Sequence, residues 1–185
     1  MFVDSHCHLS FPELAPRLTE ILADMAAARV ERALCICTTL EEAETVISLA
    51  ARDDRLFATV GVHPDSEGVR EPTVDDLVVL AQRPRVIGIG ETGLDYYRLA
   101  GRSIQDMQWQ RDRFAVHLQA ARETGMPLVV HTRSASDDTL ALLAEAGGTR
   151  GLLRGVFHCF TETAAVARAA LDMGFHISFS GILSF

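Results

Sequence analysis

Residues 85–97 read RVIGIGETGLDYY, a short apolar run that leads directly into a glutamate. The apolar run is typical of a strand buried in a parallel sheet, and it predicts a strand over residues 85–90. Glu91 then follows that strand. In α/β enzymes the chemistry lies at the carboxyl ends of parallel strands, so Glu91 is the first candidate for a catalytic residue.

Strand-forming segments recur on both sides of this run. They cover residues 2–6, 32–38, 56–62, 127–131, 155–159 and 175–180. Amphipathic helices are predicted between them, at residues 17–29, 40–52, 74–82, 103–124 and 136–146, with a last helix that begins at Thr161 or Thr163. Such alternation is typical of a parallel sheet with crossover helices.

The number of strand–helix units favours a barrel. Seven β units approach the eight of a (β/α)₈ TIM barrel. A doubly wound open sheet is the alternative, but the GxGxxG fingerprint of its dinucleotide-binding forms does not follow the first strand. We therefore expect an α/β fold in one domain of residues 1–185, a TIM barrel truncated after strand seven that lacks the C-terminal strand and helix.

The composition indicates a cytoplasmic, reduced protein. No apolar run is long enough to cross a membrane, and Met1-Phe2-Val3-Asp4 lacks the basic lead of a signal peptide. The four cysteines contain no CxxC pair, so free thiols are expected rather than a disulfide framework or a zinc knuckle. Nothing in the sequence indicates a stable protein partner.

The charged residues limit the chemistry. The net charge of −8 argues against a non-specific nucleic-acid coat protein, but not against a nuclease, because bound divalent cations would reverse the local field. All 17 basic residues are arginine. Without lysine, Schiff-base chemistry and a carbamylated-lysine metal bridge are both excluded, so a carboxylate would have to bridge two metal ions. Glu91 suits that role.

Histidines supply the other candidate ligands. His6 and His8 point to the same side of the first strand, about 7 Å apart at Cα, so the two rings could hold one ion. Asp4 could orient one of these rings. His131 and His158 follow strands five and six, at the same end of the sheet as Glu91. Together these five residues predict a metal site: His6, His8, Glu91, His131 and His158.

Other residues near these strand ends suggest substrate contacts. His63 precedes Pro64, and we favour a substrate contact for it over a metal ligand. Arg133 and Arg98 could bind a phosphate, although Arg98 could equally be a solvated loop residue. Tyr96 and Tyr97 could stack on a nucleobase or pack the loop, and both interpretations stay open. His117, in mid-helix, and His176, at a strand start, are left out of the site.

Six motifs in order resemble the TatD family of metal-dependent hydrolases, a branch of the amidohydrolase-like TIM barrels. They are DSHCHL, GVHP, GETGLDYY, PLVVHTR, FHCF and ISFSG. The resemblance implies a metal-dependent deoxyribonuclease with exonuclease action on DNA. It also implies two divalent ions (Zn, Mn, Mg or Fe), the first on His6 and His8 and the second on His131 and His158. Glu91 would bridge them, and His63 would lie on the substrate side.

One family feature is expected to be missing. Members of the family carry a late aspartate in a TDSP-like segment, which ligates the first metal and handles the proton of the attacking water. The sequence ends at Phe185 without that segment, which suggests a truncated chain. Two other functions stay open: an ester or amide hydrolase, such as a D-aminoacyl-tRNA deacylase, and an inactive metal-binding fragment.

Overall fold

The computed structural model describes residues 1–185 as seven strands alternating with six α-helices. The strands are β1 (Phe2–Cys7), β2 (Val30–Cys35), β3 (Leu56–Val60), β4 (Val86–Asp95), β5 (Leu128–Arg133), β6 (Gly155–Phe157) and β7 (Phe175–Ile177). The helices are α1 (Leu18–Ala27), α2 (Ala43–Ala50), α3 (Val74–Ala81), α4 (Gln108–Thr124), α5 (Ser136–Glu145) and α6 (Ala164–Asp172).

All seven strands are parallel and pair in the order in which they occur along the chain, from β1 to β7. The sheet curls into an incomplete barrel, with β1 and β7 as its two edges. The predicted fold class is therefore confirmed. Because every strand runs the same way, all the carboxyl ends meet on one side of the molecule, and the loops that follow them share one surface.

The hydrophobic core lies between the sheet and the helices. It is one cluster of buried side chains that draws on every strand from β2 to β7 and on all six helices. The central strand β4 is buried at nearly every position, which explains why its first half, residues 86–90, reads as an apolar run with small residues. None of the helices combines the length and the apolar character needed to cross a bilayer.

Several element ends differ from those predicted. β4 continues to Asp95 instead of ending at residue 90, so Glu91 lies within the strand. The reason is long-range pairing, because the second half of β4 aligns with β5 from Val130 to Arg133. The strands β2, β3, β6 and β7 end earlier than predicted, and α4 is preceded by a 3₁₀ turn over Gln105–Met107.

The helix ends follow local hydrogen bonding. Thr73 forms a capping box with Asp76 at the start of α3, as its sequence predicts. Of the two candidates for α6, Thr163 is the cap, and its side chain accepts a hydrogen bond from the N–H of Val166. Gly125, with φ of 68°, ends α4 in the left-handed conformation that glycine adopts without strain.

Candidate metal centre

A cleft of about 580 Å³ opens at the carboxyl ends of the strands. The five predicted metal ligands and two of the three predicted substrate contacts line it: His6, His8, Glu91, His131, His158, His63 and Arg133. These residues come from β1, β4 and β5 and from the loops after β1, β3 and β6. Segments far apart in the sequence thus meet in one cavity, because the strands that carry them are parallel.

The structure does not place Tyr96, the third predicted substrate contact, in this cleft. Its side chain is buried, with 6% of the residue exposed, and its hydroxyl donates to Asp138 Oδ2 at 2.7 Å. Burial and the bond to Asp138 raise the pKa of Tyr96 to about 12. The neighbouring Tyr97 is 60% exposed, and the guanidinium of Arg133 lies 3.6 Å from its ring centre. Of the two tyrosines, Tyr97 is the one available for stacking.

His6 and His8 project into the cleft from the end of β1. Their Nε2 atoms lie 3.2 Å apart, as expected for residues on the same side of a strand. Asp4 does not orient either ring, since its Oδ1 accepts a hydrogen bond from the main-chain N–H of His6. The Nδ1 atoms of both histidines are buried without a hydrogen-bond partner. Two imidazole rings that face each other at this distance are arranged to share one cation.

Glu91 lies at the centre of the cleft and is 3% exposed. Its Oε2 is 3.2 Å from Nε2 of His6, while its Oε1 is 3.2 Å from Nδ1 of His131. Burial alone would raise the pKa of this carboxyl. Hydrogen bonds from His131 and His6 instead hold the pKa of Glu91 well below its usual range. The group is therefore an ionised carboxylate whose two oxygens face different histidines.

His131 lies between two carboxylates. Its Nε2–H donates to Asp95 Oδ2 at 2.9 Å, and its Nδ1 faces Glu91. Burial alone would lower the pKa of His131, but the bonds to Asp95 and Glu91 raise it to about 9. A carboxylate on the far nitrogen of a histidine is the usual support of a metal ligand, because it fixes the ring and strengthens the near nitrogen as a donor.

Asp95 was not among the residues predicted from the sequence. It lies four residues after Glu91 in β4 and so points to the same side of the strand. Between the two, Gly93 allows β4 and β5 to approach closely. It has φ of 132°, and a Cβ there would lie 1.9 Å from the carbonyl oxygen of His131. Strand alternation would have identified Asp95 if the predicted strand had continued past residue 90.

His158 enters the cleft from the loop after β6. Its ring stacks on that of His6, with centroids 3.3 Å apart and an interplanar angle of 10°. Its Nδ1 is buried without a partner, and burial lowers the pKa of His158 to about 4. The ligand atoms of His6, His8 and Glu91 lie within 4.8 Å of one another, and those of His63, Glu91 and His131 do as well, but His158 belongs to neither group.

His63 has a defined tautomer. The main-chain N–H of Asp65 donates to its Nδ1 at 3.1 Å, so a neutral ring carries its proton on Nε2. Burial lowers the pKa of His63 to about 4, which keeps the ring neutral near pH 7. Its Nε2 lies 3.6 Å from Oε1 of Glu91. The ring thus presents an N–H donor to the cleft, which favours a substrate contact over a metal ligand.

The donor set fits a divalent cation. It combines an ionised carboxylate, a carboxylate-supported histidine and imidazole rings whose lowered pKa values leave them neutral at pH 7. Neutral imidazole and carboxylate are the ligands of zinc, manganese and iron sites in proteins. The unpartnered Nδ1 atoms show that hydrogen bonding within the protein does not satisfy these rings.

Comparisons with known proteins agree with this chemistry. The family model described as "TatD related DNase" matches residues 3–185. The metal-dependent hydrolase YcfH of Escherichia coli K12 is 41% identical over 187 residues, which cover 99% of this chain and 68% of YcfH. The 3'-5' ssDNA/RNA exonuclease TatD of Enterobacter lignolyticus is 35% identical over 179 residues, which cover 96% of this chain and 66% of that enzyme.

A solved structure shares the fold. The crystal structure of YJJV, a TatD homologue from Escherichia coli K12, superposes with a TM-score of 0.86 at 23% sequence identity. The match covers 100% of this chain and 70% of YJJV. At this level of identity the likeness concerns the architecture of the barrel.

Proposed function

The chain belongs to the TatD-related DNase family of metal-dependent hydrolases, and we propose that it cleaves phosphodiester bonds of single-stranded DNA from an end. The observation that carries this proposal is the position of Glu91. One oxygen of its carboxylate faces His6, and the other faces His131. A single buried carboxylate between two histidine groups is suited to bridge two cations.

We infer two cation positions that share Glu91. His6 and His8 would hold the first cation, and His131 would hold the second. The ring of His158 stacks on the ring of His6, next to the first cation position. When bound, a pair of divalent cations activates a water molecule and neutralises the charge of the phosphate in the displacement reaction. Zinc, manganese, iron and magnesium all remain candidates, because selection in cells depends on availability as well as on affinity.

The chain's own residues bind and orient the phosphodiester. His63 would donate from Nε2 to a non-bridging phosphate oxygen, since its tautomer directs a proton into the cleft. Arg133 lines the same cleft and would pair with a second phosphate oxygen. Asp95 would keep the His131 ring in place throughout, because its bond to Nε2 leaves only Nδ1 free to face the reaction centre.

Exposed aromatic rings support a single-stranded substrate. Tyr97 lies beside Arg133 with more than half of its surface exposed. Phe11, which lines the cleft, is 42% exposed and stacks on His8 with centroids 4.8 Å apart. Aromatic faces next to a phosphate site bind unpaired bases by stacking, which every base allows and which a duplex prevents.

The test uses the chain stripped of metal and reloaded with Mg²⁺, Mn²⁺ or Zn²⁺. Oligonucleotides labelled at the 5' or the 3' end are incubated with each form, in single-stranded and duplex form. We expect cleavage of the single strand with at least one cation, none with chelator, and a nucleotide ladder from one end. Glu91→Gln should abolish cleavage, whereas Glu20→Gln, at an exposed ion pair with Arg17, should not.

A parallel assay separates phosphodiester from acyl chemistry. Aminoacylated tRNA is offered to the same metal-loaded preparation, and release of the amino acid is measured against release of nucleotides. Rapid deacylation without DNA cleavage would contradict the proposal and assign the cleft to esters.

A further inference from the structure

Helix α4 carries three polar residues on its buried face: Gln110, Arg113 and His117, which we call the α4 polar stripe. Each is no more than 3% exposed, and the spacing places them on one side of the helix. The apolar residues Phe114 and Leu118 flank them in the core. Burial of polar groups is costly unless they are hydrogen-bonded, so the partners of the stripe show what it contributes.

All three residues bind main-chain atoms of segments that form the cleft. Gln110 Oε1 accepts from the N–H of Asp95 at 2.9 Å. Arg113 Nη1 donates to the carbonyl oxygens of His63 and Ser66, at 2.8 and 2.9 Å. His117 Nε2 accepts from the N–H of Val62 at 2.9 Å. The α4 polar stripe therefore contacts β4 at Asp95, the residue that supports His131. It also binds the main chain before and after the His63 side chain, at Val62 and Ser66.

The two residues nearest His63 are themselves held in place. Nδ1–H of His117 donates to the carbonyl oxygen of Arg113 at 2.8 Å, which directs Nε2 outward to Val62. The guanidinium of Arg113 forms an ion pair with Glu71 through Nε and Nη2, and it lies 4.8 Å from the ring centre of Trp109. Because these contacts fix the Arg113 and His117 side chains, the two residues hold the loop that they bind in one position.

We propose that Arg113 and His117 are positioning residues for the reaction, acting through His63. By holding the main chain immediately before and at His63, they direct its Nε2–H toward Glu91 and the bound phosphate. The inference rests on the proposed function, because it assigns His63 to the substrate. Asp65, which sets the tautomer of His63, lies within the same held segment between Val62 and Ser66.

The first test is spectroscopic and needs neither metal nor substrate. His117→Leu removes the acceptor for Val62, His117→Gln restores an acceptor, and Gln119→Leu changes the exposed face of the same helix. Imidazole ¹⁵N shifts of His63 in the metal-free chain report its tautomer. We expect the Nε2–H form in wild type, His117→Gln and Gln119→Leu, and a mixture of tautomers in His117→Leu. An unchanged Nε2–H form in folded His117→Leu would overturn the proposal.

Arg113→Met provides a second variant if His117→Leu does not fold. It removes the donors to His63 and Ser66 but keeps most of the side-chain volume. We expect it to mix the His63 tautomers in the same way. Arg83→Met, at an exposed ion pair with Glu44, is the matched control and should leave the tautomer unchanged.

The second test is a double-mutant cycle on cleavage of a single-stranded oligonucleotide with Mn²⁺. We expect His117→Leu to lower kcat by about 10-fold or more with little change in KM, since a shift of ~1 Å in a group that positions the reacting phosphate can cost ~100-fold. In a His63→Gln background the same change should have no further effect. Independent, multiplying effects would show that the stripe acts only on the fold and would overturn the proposal.

The two tests distinguish failure of the proposed function from failure of the positioning role. If the wild-type chain cleaves no DNA, the proposed function is wrong, and the tautomer of His63 still decides whether the stripe positions its ring. If DNA is cleaved and the tautomer of the folded His117→Leu and Arg113→Met variants is unchanged, the function stands and the positioning role is wrong.

Discussion

Asp95 Oδ2 lies 2.9 Å from Nε2 of His131, and this contact determines which nitrogen of the ring faces the cleft. Without it, the ring could turn and present either nitrogen to a cation. With it, Nδ1 is the only nitrogen directed at Glu91. The carboxylate therefore acts on the metal site through a histidine that it orients.

We expect Asp95→Asn to weaken cation binding by roughly 10- to 100-fold, the range for loss of a carboxylate that supports a histidine ligand. An amide of the same shape can still accept from the N–H of Tyr97 but no longer carries the charge that holds the His131 proton. Titration of the metal-free chain against a fluorescent chelator measures the affinity. Asp138→Asn, at a hydrogen bond with Tyr96 outside the cleft, is the control and should bind as wild type does.

Glu91→Gln should remove at least one of two bound cations. The carboxamide offers one oxygen where the carboxylate offers two, and it lacks the charge that stabilises a shared pair. Metal content per chain, measured by mass spectrometry after dialysis, is expected to be close to two for wild type and for Glu20→Gln, and one or less for Glu91→Gln. Two retained ions in Glu91→Gln would contradict the bridging role.

Tyr97→Ala should raise KM for single-stranded DNA by about 5-fold or more, because stacking of a base on an aromatic ring contributes about 1–3 kcal/mol. kcat should change little, since Tyr97 contacts Arg133 rather than the residues around Glu91. Tyr97→Phe keeps the ring and should restore KM. Tyr96→Phe, at the buried tyrosine next to Tyr97, is the matched control. If the KM of Tyr96→Phe rose as much as that of Tyr97→Ala, the result would argue against stacking at Tyr97.

Much of the fold follows from local patterns in the sequence. Short apolar runs separated by amphipathic segments predict the order of strands and helices, and the cap at Thr73 needs only residues within one turn. Strand ends are different, because they depend on pairing with a strand that is distant in the sequence. The pairing of β4 with β5 extends the strand to Asp95, and neither segment alone indicates this.

The same limit applies to the site. Histidines at the ends of parallel strands are predicted to meet, and the structure brings all of them to one cleft. The choice between Tyr96 and Tyr97 depends on the path of a loop, which sequence periodicity does not describe. The mid-helix position of His117 argues against a place in the site. Its spacing from Arg113, on the same face as Phe114, nevertheless indicates a buried polar residue that needs a partner.

His117 should also give the protein a measurable acid sensitivity. The ring is fully buried and neutral, and burial lowers its pKa from 6.5 to about 4. In the unfolded chain it takes up a proton near pH 6.5, so the unfolded state binds more protons between about pH 6.5 and pH 4, and stability falls as the pH falls through this window. The loss from this residue is roughly 3 kcal/mol over the whole window. His8, His63 and His158 act in the same direction, so the comparison must be made against a variant.

His117→Gln provides that comparison, because glutamine accepts from Val62 without titrating. Urea unfolding at pH 7.5, 6.5, 5.5 and 4.5 gives the free energy of unfolding for both proteins. We expect the variant to be less stable than wild type at pH 7.5 and the difference to shrink as the pH falls, since only wild type loses the contribution of His117. Parallel pH profiles for the two proteins would show that His117 takes up its proton at the same pH in the folded and unfolded chains, so that burial does not keep the ring neutral.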